Sequence, residues 1–155
     1  MLVLDTNILL DVWVFDDPRA QPLHAALQAR RVDWITTPAM REEWIRVLQY
    51  PHLAQRWARK ALSLDQLVSE FDAAARSVAV APRAPWVCKD PDDQKFVDLA
   101  VAHGAQLVSK DFEVLRMAKR LAQAGVRVTQ ETMLDGVSLG ESNSIRVERA
   151  CTRVA

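Results

Sequence analysis

Apolar residues recur along this chain in two rhythms. Short runs of three or four, Leu2-Val3-Leu4, Trp34-Ile35-Thr36, Gln106-Leu107-Val108-Ser109 and Val126-Arg127-Val128-Thr129, read as buried strands. They predict strands over 2–5, 34–36, 106–109 and 126–129. Between them, apolar positions recur every three or four residues, as on one face of a helix. This spacing predicts helices over 6–14 and 20–30. A third starts at Thr37-Pro38, where Thr37 can cap and Pro38 suits the first helical position. Met40, Trp44, Val47 and Leu48 form its apolar stripe, and Pro51 ends or kinks it. Further helices are expected over 53–61, over 65–76 with Ser63 as cap, over 92–103 with Gly104 as terminator, and over 113–124 before Gly125. Residues 78–81 read either as a strand or as an apolar lead into the loop Pro82-Arg-Ala-Pro85. Short apolar runs alternating with helices argue for an α/β fold with a mostly parallel central sheet.

At 155 residues the chain is expected to fold as one domain. A chain of this size buries roughly 68–70% of its unfolded surface, so it needs no staples. Cys88 and Cys151 stand far apart, outside any C-x-x-C spacing, and read as free thiols in a reducing compartment. Met1 leads straight into the first strand, so no signal peptide is expected. The apolar runs fall far short of a membrane span. A cytoplasmic location is expected. Twenty basic residues balance 20 acidic ones. If four acids gather in one pocket, the rest of the surface carries 20 basic residues against 16 acidic, and 15 of the basic residues are Arg. Arg is the side chain best suited to phosphate.

Four acids stand out by setting. Asp5 follows the first strand and Asp111 follows the strand 106–109. Asp93 lies near the start of a helix, in Asp90-Pro-Asp92-Asp93, and Glu43 lies in the helix after strand 34–36. In a right-handed α/β sheet the elements that follow strands start from one edge, which is where open sheets bind ligands. Any one of these acids, taken singly, reads more readily as a helix cap or a solvated residue than as a catalytic group. The four together point to chemistry. Crowded carboxylates repel unless a cation joins them, and oxygen-only donors favour Mg²⁺ or Mn²⁺. Such ions polarise phosphoryl oxygens and activate water. No His, Cys or Ser–His pair offers a competing nucleophile, and His24, His52 and His103 have no metal spacing. Metal-assisted phosphodiester hydrolysis suits these residues best.

Leu4-Asp5-Thr6-Asn7, Pro38-Ala-Met-Arg-Glu-Glu43-Trp-Ile-Arg-Val-Leu48, Asp90-Pro-Asp-Asp93-Gln-Lys-Phe-Val-Asp-Leu-Ala100 and Leu107-Val-Ser109-Lys-Asp111 occur in the order and spacing of a known family. Over about residues 1–135 the chain resembles the PIN domain, in the branch of VapC-like toxin components of bacterial toxin–antitoxin pairs. The resemblance implies a three-layer sandwich, a mostly parallel sheet with helices on both faces. It implies Mg²⁺- or Mn²⁺-dependent endonuclease action on single-stranded RNA. The family's four acidic positions match Asp5, Glu43, Asp93 and Asp111, of which Asp5, Asp93 and Asp111 would hold the metal. Its small polar residue matches Ser109 and its Asn matches Asn7; both would hold carboxylates and water in place.

Two features depart from the family's pattern or blur it. Lys110 stands where the family often has Gly, and could contact phosphate or fill the space that RNA needs. Asp92 beside Asp93 leaves the third ligand open by one residue. A small antitoxin inserting an Arg or Lys into the acidic pocket, with docking on the helices between 50 and 76, is the expected partner, and a homodimer is usual in the family. Trp44 is expected in the core. Trp57, in Gln55-Arg-Trp-Ala-Arg-Lys60, could stack on unpaired bases, although a solvated helix face is the simpler reading. Residues 136–155 are expected to form an arm that orders on a partner. A different class of reading keeps the fold and makes the chain a binding module that docks to RNA or protein without cutting. A phosphatase of the aspartyl-phosphate type would need Asp-x-Asp after the first strand, and Asn7 argues against it.

Overall fold

The computed structural model describes residues 1–130 and Thr132. The chain runs β1 (Leu2–Leu4), α1 (Thr6–Trp13), a 3-10 turn (Pro18–Ala20), α2 (Gln21–Gln28), β2 (Trp34–Thr36), α3 (Pro38–Leu48), α4 (Pro51–Ala58) and α5 (Leu64–Ala74). It continues through β3 (Ala75–Ser77), α6 (Gln94–His103), β4 (Gln106–Val108), α7 (Phe112–Leu115), α8 (Ala118–Ala122) and β5 (Val128–Thr129). The expected arm over 136–155, and Cys151 in it, lie outside the described residues. No helix among the described residues is long and apolar enough to cross a membrane.

All five strands are parallel, in the order β3-β2-β1-β4-β5. The chain therefore leaves central β1 for β2 and β3 on one side, then crosses over to β4 and β5 on the other. That reversal makes the gap between β1 and β4 the topological switch point, where an open α/β sheet leaves a crevice at its C-terminal edge. Alternate residues of β1 feed opposite faces. Leu2 and Leu4 join a core with α1, α2, Trp34, Trp44, Leu67 and Phe71, while Val3 joins a second core with Met40, Phe96, Leu99, Leu107 and Val114. This is the expected sandwich. The first core is rich in aromatic rings. Trp13 lies 5.9 Å from Trp34 and 6.0 Å from Trp44, and Phe71 meets Trp34 edge-on at 4.7 Å.

Local chemistry accounts for most helix ends. Thr37 Oγ1 accepts from the Met40 N–H at 3.4 Å, with Pro38 in the first turn. Pro51 opens α4. Ser63 and Gln66 form a reciprocal capping box on α5. Gly104 ends α6 at φ 58°, in the left-handed region that glycine enters without penalty.

Two expectations need correction. Residues 78–81 take the second of their two readings, the lead into the loop, and the helix expected over 65–76 stops at Ala74. A strand follows at Ala75–Ser77 and pairs with all of β2. Its side chains are half-buried or exposed, and Arg76 forks onto Asp33 at 3.0 and 2.7 Å. Backbone pairing at a sheet edge leaves no apolar signature. The helix expected over 113–124 is two short helices, broken between Leu115 and Ala118.

Candidate active site

Register builds the centre of the site. Leu4 of β1 pairs with Val108 of β4, so the next residues, Asp5 and Ser109, emerge side by side at the switch point. The Asp5 N–H donates to Val108 O at 3.0 Å. Ser109 is fully buried. Its Oγ donates to Asp5 Oδ2 at 2.6 Å and accepts from the Asp111 N–H at 3.0 Å, so one hydroxyl ties both acids to a single point. Asp111 in turn caps α7, accepting from the Glu113 N–H at 2.7 Å. Asp5 sits at the cap position of α1 but makes no side-chain cap bond.

Asp93 comes from the loop before α6. It also stands at a cap position without making a cap bond. A four-point anchor fixes that loop. Buried Gln94 accepts from the Cys88 N–H at 2.6 Å, and its amide donates to Trp86 O at 3.0 Å and Asp98 Oδ1 at 2.8 Å. Asp98 Oδ1 also accepts from the Ala84 N–H at 2.8 Å. Asp93, and not exposed Asp92, faces Asp5 and Asp111. Its Oδ2 is buried with no partner.

Electrostatics show the crowding. Burial raises the Asp5 carboxyl above its ordinary range, Ser109 and the Asn7 backbone N–H oppose the rise, and Glu43 and Asp111 add to it. Asp93 is pushed up to about 7, first by burial, then by Asp5, Asp111 and Asp90, against the pull of Lys95. Burial also raises the thiol of Cys88, with Asp93, Asp111 and Asp90 contributing.

Glu43 reaches the cluster from α3, and both its oxygens are held. Thr6 donates to Oε1 at 2.7 Å, and the Lys95 ammonium pairs with Oε2. Neither partner stood out in the sequence: they lie 37 and 52 positions from Glu43. The only hint was the place of each beside an acid, Thr6 after Asp5 and Lys95 two residues after Asp93. The Asn7 side chain is exposed and makes no hydrogen bond among the described residues; only its backbone N–H acts on Asp5. Lys110 pairs with buried Asp11 at 2.5 Å, at a cleft of about 200 Å³ that Asp17 and Arg19 also line. Three side chains of the basic cluster around Trp57 have partners within the fold. Trp57 donates to Leu48 O at 2.9 Å, Arg56 lies over the Phe15 ring, and Lys60 pairs with Asp16.

A family model described as a PIN domain matches residues 1–113. The chain belongs to the PIN-domain family. Neither the search of curated proteins nor that of solved structures gives a match. PIN domains are generally nucleases, and PIN nucleases typically use divalent metals. Among the described residues of this PIN domain, no group of three or more His, Cys, Asp or Glu side chains is arranged to hold an ion as it stands. In donor chemistry and charge the residues do fit one. The donors are hard oxygens, they repel one another, and Asp93 presents a buried carboxylate oxygen that no protein group satisfies.

Proposed function

We propose that this PIN domain is a divalent-cation-dependent endoribonuclease that cleaves single-stranded RNA, and that it serves as the toxin of a toxin–antitoxin pair in the cytoplasm. The observation that supports this most is the meeting of Asp5, Asp93 and Asp111 at the switch point, where two of the three carboxyls are raised above their ordinary range. Asp5, Asp93 and Asp111 would hold Mg²⁺ or Mn²⁺. When bound, such an ion lowers the pKa of its water and offsets charge building on a phosphodiester.

The chain's own residues then have separate tasks. Ser109 keeps Asp5 and the Asp111 backbone in register. Gln94 holds the loop that presents Asp93. Glu43 completes the acidic cluster and, through Thr6 and Lys95, links α3 to the starts of α1 and α6. A small antitoxin would silence the site by placing a cationic side chain among the acids, docking on α4 and α5, and a homodimer is the expected assembly. One observation favours the second reading, a binding module that does not cut: among the described residues no group of three His, Cys, Asp or Glu side chains is arranged to hold an ion.

The test is cleavage of a mixed single-stranded RNA pool with Mn²⁺, comparing wild type with the Asp5→Asn, Asp93→Asn double variant. Cutting by wild type alone supports the nuclease and its site. Equal cutting by both moves the activity elsewhere. No cutting by either, together with retained RNA or partner binding, favours the module.

A further inference from the structure

We propose that Lys95 is a resident counter-cation of the acidic cluster, seated there by Glu43, and that its positive charge weakens the binding of a divalent cation to Asp5, Asp93 and Asp111. The inference rests on the reading above that the cluster takes such a cation.

Lys95 is not a loose surface lysine. Its ammonium pairs with Glu43 Oε2 and donates to the backbone carbonyl of Asp92, and it lies 4.9 Å from the centroid of the Phe96 ring. The ion pair is sheltered, with 29% of the Lys95 side chain and 16% of Glu43 exposed. Glu43 cannot swing away freely, because Thr6 holds its other oxygen. The seat is thus built from three elements: α1, α3 and the start of α6. From it the ammonium acts on Asp93, opposing the repulsion from Asp5, Asp111 and Asp90.

This arrangement solves a problem of charge. Four acids near one another are costly without a cation. Lys95 supplies one positive charge permanently. A divalent cation supplies two, and on entering it meets an ammonium already placed against the same field. It must either bind against that charge or turn the ammonium out of its seat. In both cases affinity is lower than the acids alone would give. Glu43, with both oxygens engaged, is then a positioning residue for Lys95 rather than a metal ligand. That division explains why the cluster holds four acids while only three are free to face a metal.

The test is calorimetric titration of Mn²⁺ into the metal-free full chain, at fixed pH and salt, for wild type and for Lys95→Met, Lys95→Gln and Lys95→Arg. Melting curves in EDTA would confirm that each variant is folded. Removing one partly screened charge beside the cluster should tighten Mn²⁺ binding roughly threefold to tenfold in the Met and Gln variants. The Arg variant keeps the charge and should stay within about twofold of wild type by the same reasoning. Neutral variants that fold and bind Mn²⁺ no more tightly than wild type would overturn the proposal. So would an Arg variant as tight as the neutral ones, since charge would not then be the cause. If no protein in the series binds Mn²⁺, the metal reading itself fails, a result distinct from equal binding by all.

Discussion

Asp93 carries the clearest consequence at the scale of one residue. Its carboxyl is pushed up to about 7 in the folded chain, against 3.8 for the free side chain. Between those two values the folded protein holds a proton that the unfolded chain has released. Stability from this group must therefore fall as pH rises from about 4 to about 7. Asn at this position does not titrate. Asp93→Asn should be near neutral at pH 4.5 and stabilising above pH 7, by about 1–2 kcal/mol once solvent screening of a half-buried group is allowed for. Melting curves of the two proteins in EDTA at pH 4.5, 6 and 8 would decide it, and a constant difference across the series would count against the assignment. Asp5 responds in the same direction, because burial raises its carboxyl too. Its position at the end of an apolar strand made it conspicuous in the sequence. Asp93 was legible only as one of two neighbouring acids. What separates them is where each side chain lies, with Asp92 exposed and Asp93 turned inward, and adjacency in sequence carries no such information.

At the scale of elements, the signals that worked were those with a local mechanism. The cap at Thr37, the capping box at Ser63 and the left-handed Gly104 each act within a few residues, so each was readable from a short window. Edge strand β3 was not, because its order comes from β2 and from the Arg76–Asp33 fork across 43 positions. The end of α4 shows a local rule broken. Ala61 sits at φ 57°, a left-handed position in which the Ala58 and Trp57 carbonyls are closed off by the Ala61 and Leu62 N–H groups. A glycine fits that geometry because it has no Cβ to meet the following carbonyl. Ala61 is exposed, so nothing is lost by removing its methyl. Ala61→Gly should stabilise the fold by about 1 kcal/mol, which for a chain of this size raises Tm by about 2–4 °C. An unchanged or lower Tm would mean that the flexibility added to the unfolded chain outweighs the relieved strain. The Gln94 anchor makes an opposite prediction. Gln94→Ala leaves the Cys88 N–H, the Trp86 carbonyl and Asp98 each short of a partner around a buried side chain. It should cost about 2–4 kcal/mol, read as a lower urea midpoint with an unchanged slope.

The whole molecule brings together what no segment holds. Asp5 and Ser109 are 104 positions apart and meet because β1 and β4 are neighbours in exact register at their ends. The strand pattern predicts Asp5 and Asp111 at one sheet edge, since both follow apolar runs, while the role of Ser109 is implied only by the resemblance to the PIN domain. The placement of Lys95 was beyond reach, because its partner Glu43 lies on another helix, 52 positions away. If the proposed metal site is right, the same convergence should make stability answer to metal. A cation that binds the folded cluster and not the dispersed acids of the unfolded chain stabilises by mass action. At a free Mn²⁺ concentration of 100 times its Kd, the gain is about 2.7 kcal/mol, enough to raise Tm by several degrees. The rise should grow with the logarithm of Mn²⁺ concentration above Kd, reverse on adding EDTA, and vanish in the Asp5→Asn, Asp93→Asn double variant. Ca²⁺ prefers more ligands than three carboxylates supply, so it should give a smaller shift at equal concentration. A Tm that rises equally in wild type and double variant would place the ion outside the switch point. A Tm that does not move at all would mean that the acids converge without gathering a cation, and the docking module would then be the better account of this PIN domain.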